Sequence, residues 1–186
     1  MSDLSPEPVT TTEPVTTTVP GRACGSCTMC CKVIAVTELD KAAGVWCAHC
    51  VAKKGCGIYD TRPPGCRTYY CHWMLDKNFG PEWKPDHAKF ALVQSAQGIT
   101  AFVDPGSPGA WRRAPYYETF RRWAAESLRR DDRRIVAVRI GLRSLIVLPD
   151  REIDVGEVGP DESIRLEVHP GGRVEVRKFK AERAVP

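Results

Sequence analysis

The stretch CGSCTMCC, residues 24–31, places four cysteines in eight residues. Five more follow at Cys47, Cys50, Cys56, Cys66 and Cys71, so all nine lie between positions 24 and 71. Little periodic apolar pattern accompanies them, because residues 21–87 are rich in Gly, Pro and turn formers. A segment built this way needs a source of stability other than a hydrophobic core. Metal ligation by thiolates supplies one.

A disulfide framework is the competing explanation. The odd number of cysteines and the crowding of Cys24, Cys27, Cys30 and Cys31 speak against it. The N-terminus lacks the basic start and apolar segment of a secretory signal. No apolar run approaches the roughly 18 residues needed to span a bilayer. We therefore expect a cytoplasmic protein that does not engage a membrane, in a compartment that keeps thiols reduced.

The spacing narrows the chemistry. Cys24, Cys27 and Cys30 form a C-x2-C-x2-C run, the pattern by which a chain wraps an iron–sulfur cluster before a distant cysteine closes the site. The fourth ligand would come from Cys47, Cys56, Cys66 or Cys71. Cys31, next to Cys30, points differently and serves a second site or the opposite face of the first. Zinc is the other soft-metal choice, with four Cys or His ligands in a tetrahedron. Two four-thiolate sites would use eight cysteines and leave Cys50 over. CAHC (47–50) nevertheless has the spacing of a zinc knuckle, and His49 could substitute there. His72, directly after Cys71, is either a further ligand or a partly exposed histidine.

CGSCTMCC followed by CGIYDTRPPGCRTYYC (56–71) resembles the CxxCxxCC family of zinc- or iron-chelating domains, the YkgJ-like cysteine-cluster proteins. The resemblance covers residues 24–73, about a quarter of the chain. It rests on Cys24, Cys27, Cys30 and Cys31, then on Cys56, Ile58, Tyr59, Arg62, Pro63, Cys66 and Arg67. Cys47 is similar to the family's intermediate cysteine and Cys71 to its last, with Cys50 an extra. The resemblance thus implies eight metal ligands: Cys24, Cys27, Cys30, Cys31, Cys47, Cys56, Cys66 and Cys71. It implies an iron–sulfur cluster, of the [4Fe–4S] type among others, or zinc, in a protein that is non-catalytic or transfers electrons. A related cysteine cluster in flagellin lysine methylases makes a cluster-dependent protein-modifying enzyme the alternative, although no glycine-rich cofactor loop is present. Arg67 and Arg62 are candidate cofactor-binding residues, able to donate N–H bonds to anionic sulfur; Arg62 could instead pair with Asp60. Tyr59 and Tyr69 could shield the site from water.

The flanking regions read differently. Residues 1–20 repeat EPVTTT at 7–12 and 13–18 and contain no aromatic, the composition of a disordered tail. Within the cysteine module (21–87), CKVIAVTELD (31–40) reads as a short strand and a turn, with Thr37 capping a short helix that Gly44 ends. Residues 88–186 predict an antiparallel sheet with one packed helix. Strands are expected around Gly98 and Gly141, a helix over 115–130, and a hairpin over 163–179 about His169-Pro170-Gly171-Gly172. The whole is an α+β fold.

Net charge is only +4, too small to argue for nucleic acid. Eight arginines fall between 112 and 134, but Glu118, Glu126, Asp131 and Asp132 lie among them, so a solvated helix face is the better reading. A protein partner is compatible with the sequence. No hydrolytic triad, zinc-protease motif or phosphate loop stands out in the sequence.

Overall fold

A computed structural model describes residues 18–67, 69–130, 134–159, 161–170 and 172–180. Its centre is a five-stranded sheet in the order β3-β4-β5-β6-β7, formed by β3 (Phe90–Ser95), β4 (Gly98–Val103), β5 (Ile135–Ile140), β6 (Arg143–Val147) and β7 (Glu152–Glu157). The fold class is α+β, as the alternation of strands and helix predicts. Three of the four pairings are antiparallel. The fourth, β4 with β5, is parallel, because the helix α5 (Tyr116–Arg130) intervenes and carries the chain back to the end of the sheet where β4 begins. The hairpin of β8 (Glu162–Val168) and β9 (Val174–Lys180) pairs only with itself. A short hairpin, β1 (Cys50–Val51) with β2 (Gly55–Cys56), lies in the cysteine module.

Strand alternation sends neighbouring residues to opposite faces, and each face is covered by a different part of the chain. Phe90, Leu92, Ala101, Val103, Val136, Val138, Leu145 and Val147 face α5, which returns Tyr116, Phe120 and Ala124 at helical spacing. The opposite face is shared. Ala91 and Phe102 meet Met29 and Val33 of α1 (Met29–Val33). Ala137 and Ile146 meet Leu166, Ile164, Val174 and Val176 of the β8–β9 hairpin. The cysteine module and the hairpin thus sit side by side on one face of the sheet, with α5 on the other.

The module is also bonded into the sheet core. Phe79 and Trp83, from the end of the 21–87 segment, join Phe90, Tyr116, Phe120 and Trp123 in one aromatic cluster. Trp83 touches five rings at centroid distances of 4.9–6.2 Å. Such edge-to-face packing adds to simple area burial.

Two local expectations are corrected. The stretch read as a strand at 31–40 begins inside α1, whose turn is closed by the Ile34 N–H donating to the Cys30 carbonyl at 3.3 Å. After it, the chain makes only a 3-10 turn over Thr37–Leu39, with Val36 rather than Thr37 as its cap. Asp40 then takes φ +45° and stops the helix four residues before Gly44. The expected tail, 1–20, lies outside the described residues up to position 17. Val19 is docked, its N–H donating to the Met74 carbonyl at 2.8 Å.

Several arginines of the basic stretch are committed within the fold. Arg121 Nε donates to the Pro149 carbonyl at 2.6 Å, and Arg113 donates to the carbonyls of Ala88 and Ala110. Arg130 pairs with Glu126 one helical turn before it, and Arg112 pairs with Glu152.

Candidate metal centre

Five short segments build one cavity of about 390 Å³. The first is the loop and α1 that carry Cys24, Cys27, Cys30 and Cys31. Met29 and Val33 are four residues apart and anchor α1 on the sheet, which turns Cys30 and Cys31 toward the cavity. The second is the turn at Cys47, held because its N–H donates to the Cys31 carbonyl at 2.8 Å. The third is the β1–β2 hairpin, which pairs Cys50 with Cys56. Gly55 makes this close approach possible: at φ +112°, a Cβ there would stand 2.7 Å from the Gly25 carbonyl oxygen.

The fourth segment is α2 (Pro64–Arg67), which presents Cys66. The Gly65 N–H donates to Glu38 Oε1 at 2.8 Å, and Gly65 leaves room for that carboxylate. Bonds from its own backbone N–H and from Gly65 hold the Glu38 carboxyl below its ordinary pKa. The fifth is Cys71, the residue that caps α3 (His72–Leu75), whose carbonyl accepts from the Met74 N–H at 2.8 Å.

Arg22 locks α3 in place. Its guanidinium donates to the carbonyls of Trp73, Asp76, Lys77 and Phe79, and stacks 4.8 Å over the Trp73 ring. These are carbonyls at and beyond the helix end, where intrahelical donors run out, although the Asp76 carbonyl also accepts from the Phe79 N–H at 3.3 Å. Arg22→Ala is expected to lower stability by about 1–3 kcal/mol, because several half-buried carbonyls lose a charged donor. Arg22→Lys should recover only part of it, since an ammonium cannot reproduce the fork. Thermal melts of both variants check this; equal melting of wild type and Arg22→Ala would refute it.

All nine cysteines carry free thiols. Eight line the cavity: Cys24, Cys27, Cys30, Cys31, Cys47, Cys56, Cys66 and Cys71. Cys50 stands just behind, its thiol hydrogen-bonded with that of Cys31. The electrostatics sort them into two groups. Burial pushes the Cys71 thiol up to about 11, and the charges of Cys24 and Cys27 add to the rise. Burial likewise raises Cys27, with Cys24 contributing. On the other side, burial raises Cys66, with Cys47, Cys56 and Cys31 adding to it. Burial also raises Cys50 to about 11, with contributions from Cys31, Cys47 and Cys56. Cys31 is pushed up chiefly by its bond with Cys30 and then by burial. Cys30 and Cys31, adjacent on α1, stand at the junction of the two groups.

The elevated thiols are protonated at neutral pH. A metal must therefore displace protons to bind, and its affinity falls as pH falls.

Other polar groups around the cavity are cationic. Lys41, Lys54, Arg62 and Lys84 line it, and no described Asp, Glu or His does. Lys41 is only 8% exposed, a burial depth rare for lysine. Its ammonium donates to the carbonyls of Lys32, Ile34 and Ala42, which uses its three donors. Burial lowers the Lys41 pKa, and the charges of Cys47, Cys31, Cys30 and Cys66 act against that fall. Nothing in the sequence pattern singled Lys41 out.

The two candidate arginines are placed differently. Arg62 lines the cavity, donates from Nε to the Tyr59 carbonyl at 2.8 Å, and stacks 3.7 Å over the Tyr59 ring. Arg67 does not line it. Its Nε and Nη2 donate to the carbonyls of Arg62 and Asp60 at 2.7 and 2.8 Å, bracing the turn that leads to Cys66. Tyr59 and Tyr69 both line the cavity. His49 is exposed, and His72 packs against Phe79 with Nε2 3.8 Å from Asp76, so neither lines it.

Among the described residues, no helix is long and apolar enough to cross a membrane. Comparison with known proteins yields no relative: no family model matches the chain, and no curated protein or solved structure matches it either.

Proposed function

We propose that this chain is a cysteine-cluster metalloprotein whose cavity holds an iron–sulfur cluster, serving as a non-catalytic or electron-transfer centre in a reducing compartment such as the cytoplasm. The observation that carries the reading is a cavity of about 390 Å³ walled by eight thiols with no carboxylate or imidazole among its described lining residues. An all-sulfur donor set selects soft metals. Lys41, Lys54, Arg62 and Lys84 would offset the negative charge of thiolate-bound metal.

The C-x2-C-x2-C run with a distant cysteine favours a cluster over a lone ion. Cys24, Cys27, Cys30 and Cys71 are the natural set for one cluster: the sequence run plus the distant cysteine nearest to it electrostatically. Cys31, Cys47, Cys50, Cys56 and Cys66 form the second thiol group. The resemblance of residues 24–73 to the zinc- or iron-chelating CxxCxxCC family points the same way.

Anaerobic purification with metal and acid-labile sulfide analysis tests this. Iron with sulfide, and a visible band that bleaches with dithionite, are expected. Colourless protein carrying stoichiometric zinc would overturn the cluster and leave a structural thiolate site.

A further inference from the structure

The Tyr69 hydroxyl is buried, lines the cavity, and has no hydrogen-bond partner. A phenol out of water normally finds an acceptor, because leaving it unpaired costs the full desolvation of the group. Its ring is held by the cluster of Met29, Val33 and Ala91, so the hydroxyl cannot swing out to solvent without unpacking α1 from the sheet. Cys24, Cys27, Cys30 and Cys71 line the same cavity, and their charges act on the Tyr69 hydroxyl. In the metal-free protein these are thiols, which are poor acceptors. Bound to metal they are thiolates, which accept readily.

We propose that Tyr69 is a positioning residue of the metal centre, whose hydroxyl donates a hydrogen bond to a metal-bound sulfur of the Cys24, Cys27, Cys30 and Cys71 group. The inference rests on the reading of the cavity as a metal centre. Lys41 and the Tyr116 hydroxyl are paired with carbonyls, whereas the Tyr69 hydroxyl, like the indole N–H groups of Trp73 and Trp111, has no partner. Tyr69 is the one of these whose neighbours include the thiols of the C-x2-C-x2-C run. Tyr69 is thus a group whose partner arrives with the metal. A bond to ligating sulfur withdraws charge from it, which stabilises the reduced state of a cluster and fixes the orientation of the ligand.

Tyr69→Phe removes one oxygen and keeps the ring, so it separates this role from packing. Wild type and variant are compared metal-free, in chelator and reductant, and again after anaerobic loading with ferrous iron and sulfide, or with zinc if iron is not taken up. The expected result has two parts. Metal-free Tyr69→Phe melts at or above the wild-type temperature, since the unpaired hydroxyl is gone. Loaded Tyr69→Phe gains less on loading, binds metal about tenfold or more weakly, and, if a cluster is present, has a midpoint potential shifted to more negative values.

An unchanged loading gain and potential would overturn the inference, and so would an equal loss of stability in both forms, which would mark a structural bond. Wild type that takes up neither iron nor zinc would overturn the underlying metal reading instead. Wild type that loads normally while Tyr69→Phe is indistinguishable from it sinks the Tyr69 role alone.

Discussion

Cys71→Ser is expected to lose the metal of the Cys24–Cys27 group while keeping whatever the other thiols hold. Cys56→Ser is expected to do the reverse. Serine keeps the shape of cysteine but is a far weaker ligand for soft metals. Each substitution therefore removes a donor with little steric change. The expectation follows from the sorting of the thiols: Cys71 responds to Cys24 and Cys27, whereas Cys66 and Cys50 respond to Cys56 and Cys47. In structural zinc sites the binding free energy, about 10–16 kcal/mol, is also folding free energy, so losing one of four thiolate ligands is expected to weaken both binding and fold. Metal content per chain, measured anaerobically for each variant, reads the result. Loss of all metal from both variants would show that the thiols act as one site, and the division into two groups would fall. Because the cysteine module packs on β3 and β4, partial loosening of that face should accompany the loss in Cys71→Ser.

What the sequence disclosed and what it withheld follow a physical line. The β8–β9 hairpin was legible because both arms alternate and a Pro-Gly turn separates them. Helix α5 was legible because Tyr117, Phe120, Ala124 and Leu128 recur at helical spacing. The misreading of 31–40 came from local pattern: Val33, Ile34 and Val36 are β-branched and read as strand. Tertiary packing decides otherwise, since only a helical turn puts both Met29 and Val33 against Ala91 while Cys30 and Cys31 face the cavity. Strand β7 was missed because acidic residues and Gly156 interrupt its alternation and its side chains are half exposed.

The site shows the same limit. The C-x2-C-x2-C run and the resemblance of residues 24–73 pointed to the eight cysteines that the fold gathers around one cavity. They left open which distant cysteine joins the C-x2-C-x2-C run, since that depends on where Arg22 and the aromatic cluster hold α3. Lys41 was invisible for a related reason. A buried lysine leaves no pattern in sequence, and its role appears only when the carbonyls of Lys32, Ile34 and Ala42 converge on it.

That dependence of the site on the core can be tested at Trp83. Its ring contacts Phe79, Phe90, Tyr116, Phe120 and Trp123, and it is 8% exposed. It belongs to the 21–87 segment by sequence and to the sheet core by packing. Phe79, its neighbour at 5.0 Å, stacks in turn on His72, the residue after Cys71. Trp83→Ala should cost about 3–5 kcal/mol, the usual range for emptying a large aromatic from a core. That is a large fraction of the roughly 5–15 kcal/mol that holds a typical domain folded. At about 2–4 °C per kcal/mol for a chain of this size, the melting temperature should fall by about 6–20 °C. Trp83→Phe should lose much less, because it keeps a ring among the others. If the module and the sheet form one cooperative unit, Trp83→Ala should release metal and lose near-ultraviolet aromatic signal in the same thermal transition. Two separate transitions, with metal retained after the aromatic signal has gone, would show that the thiol cavity stands without the core beneath it. In that case the position of Cys71 would be set by its metal rather than by α3.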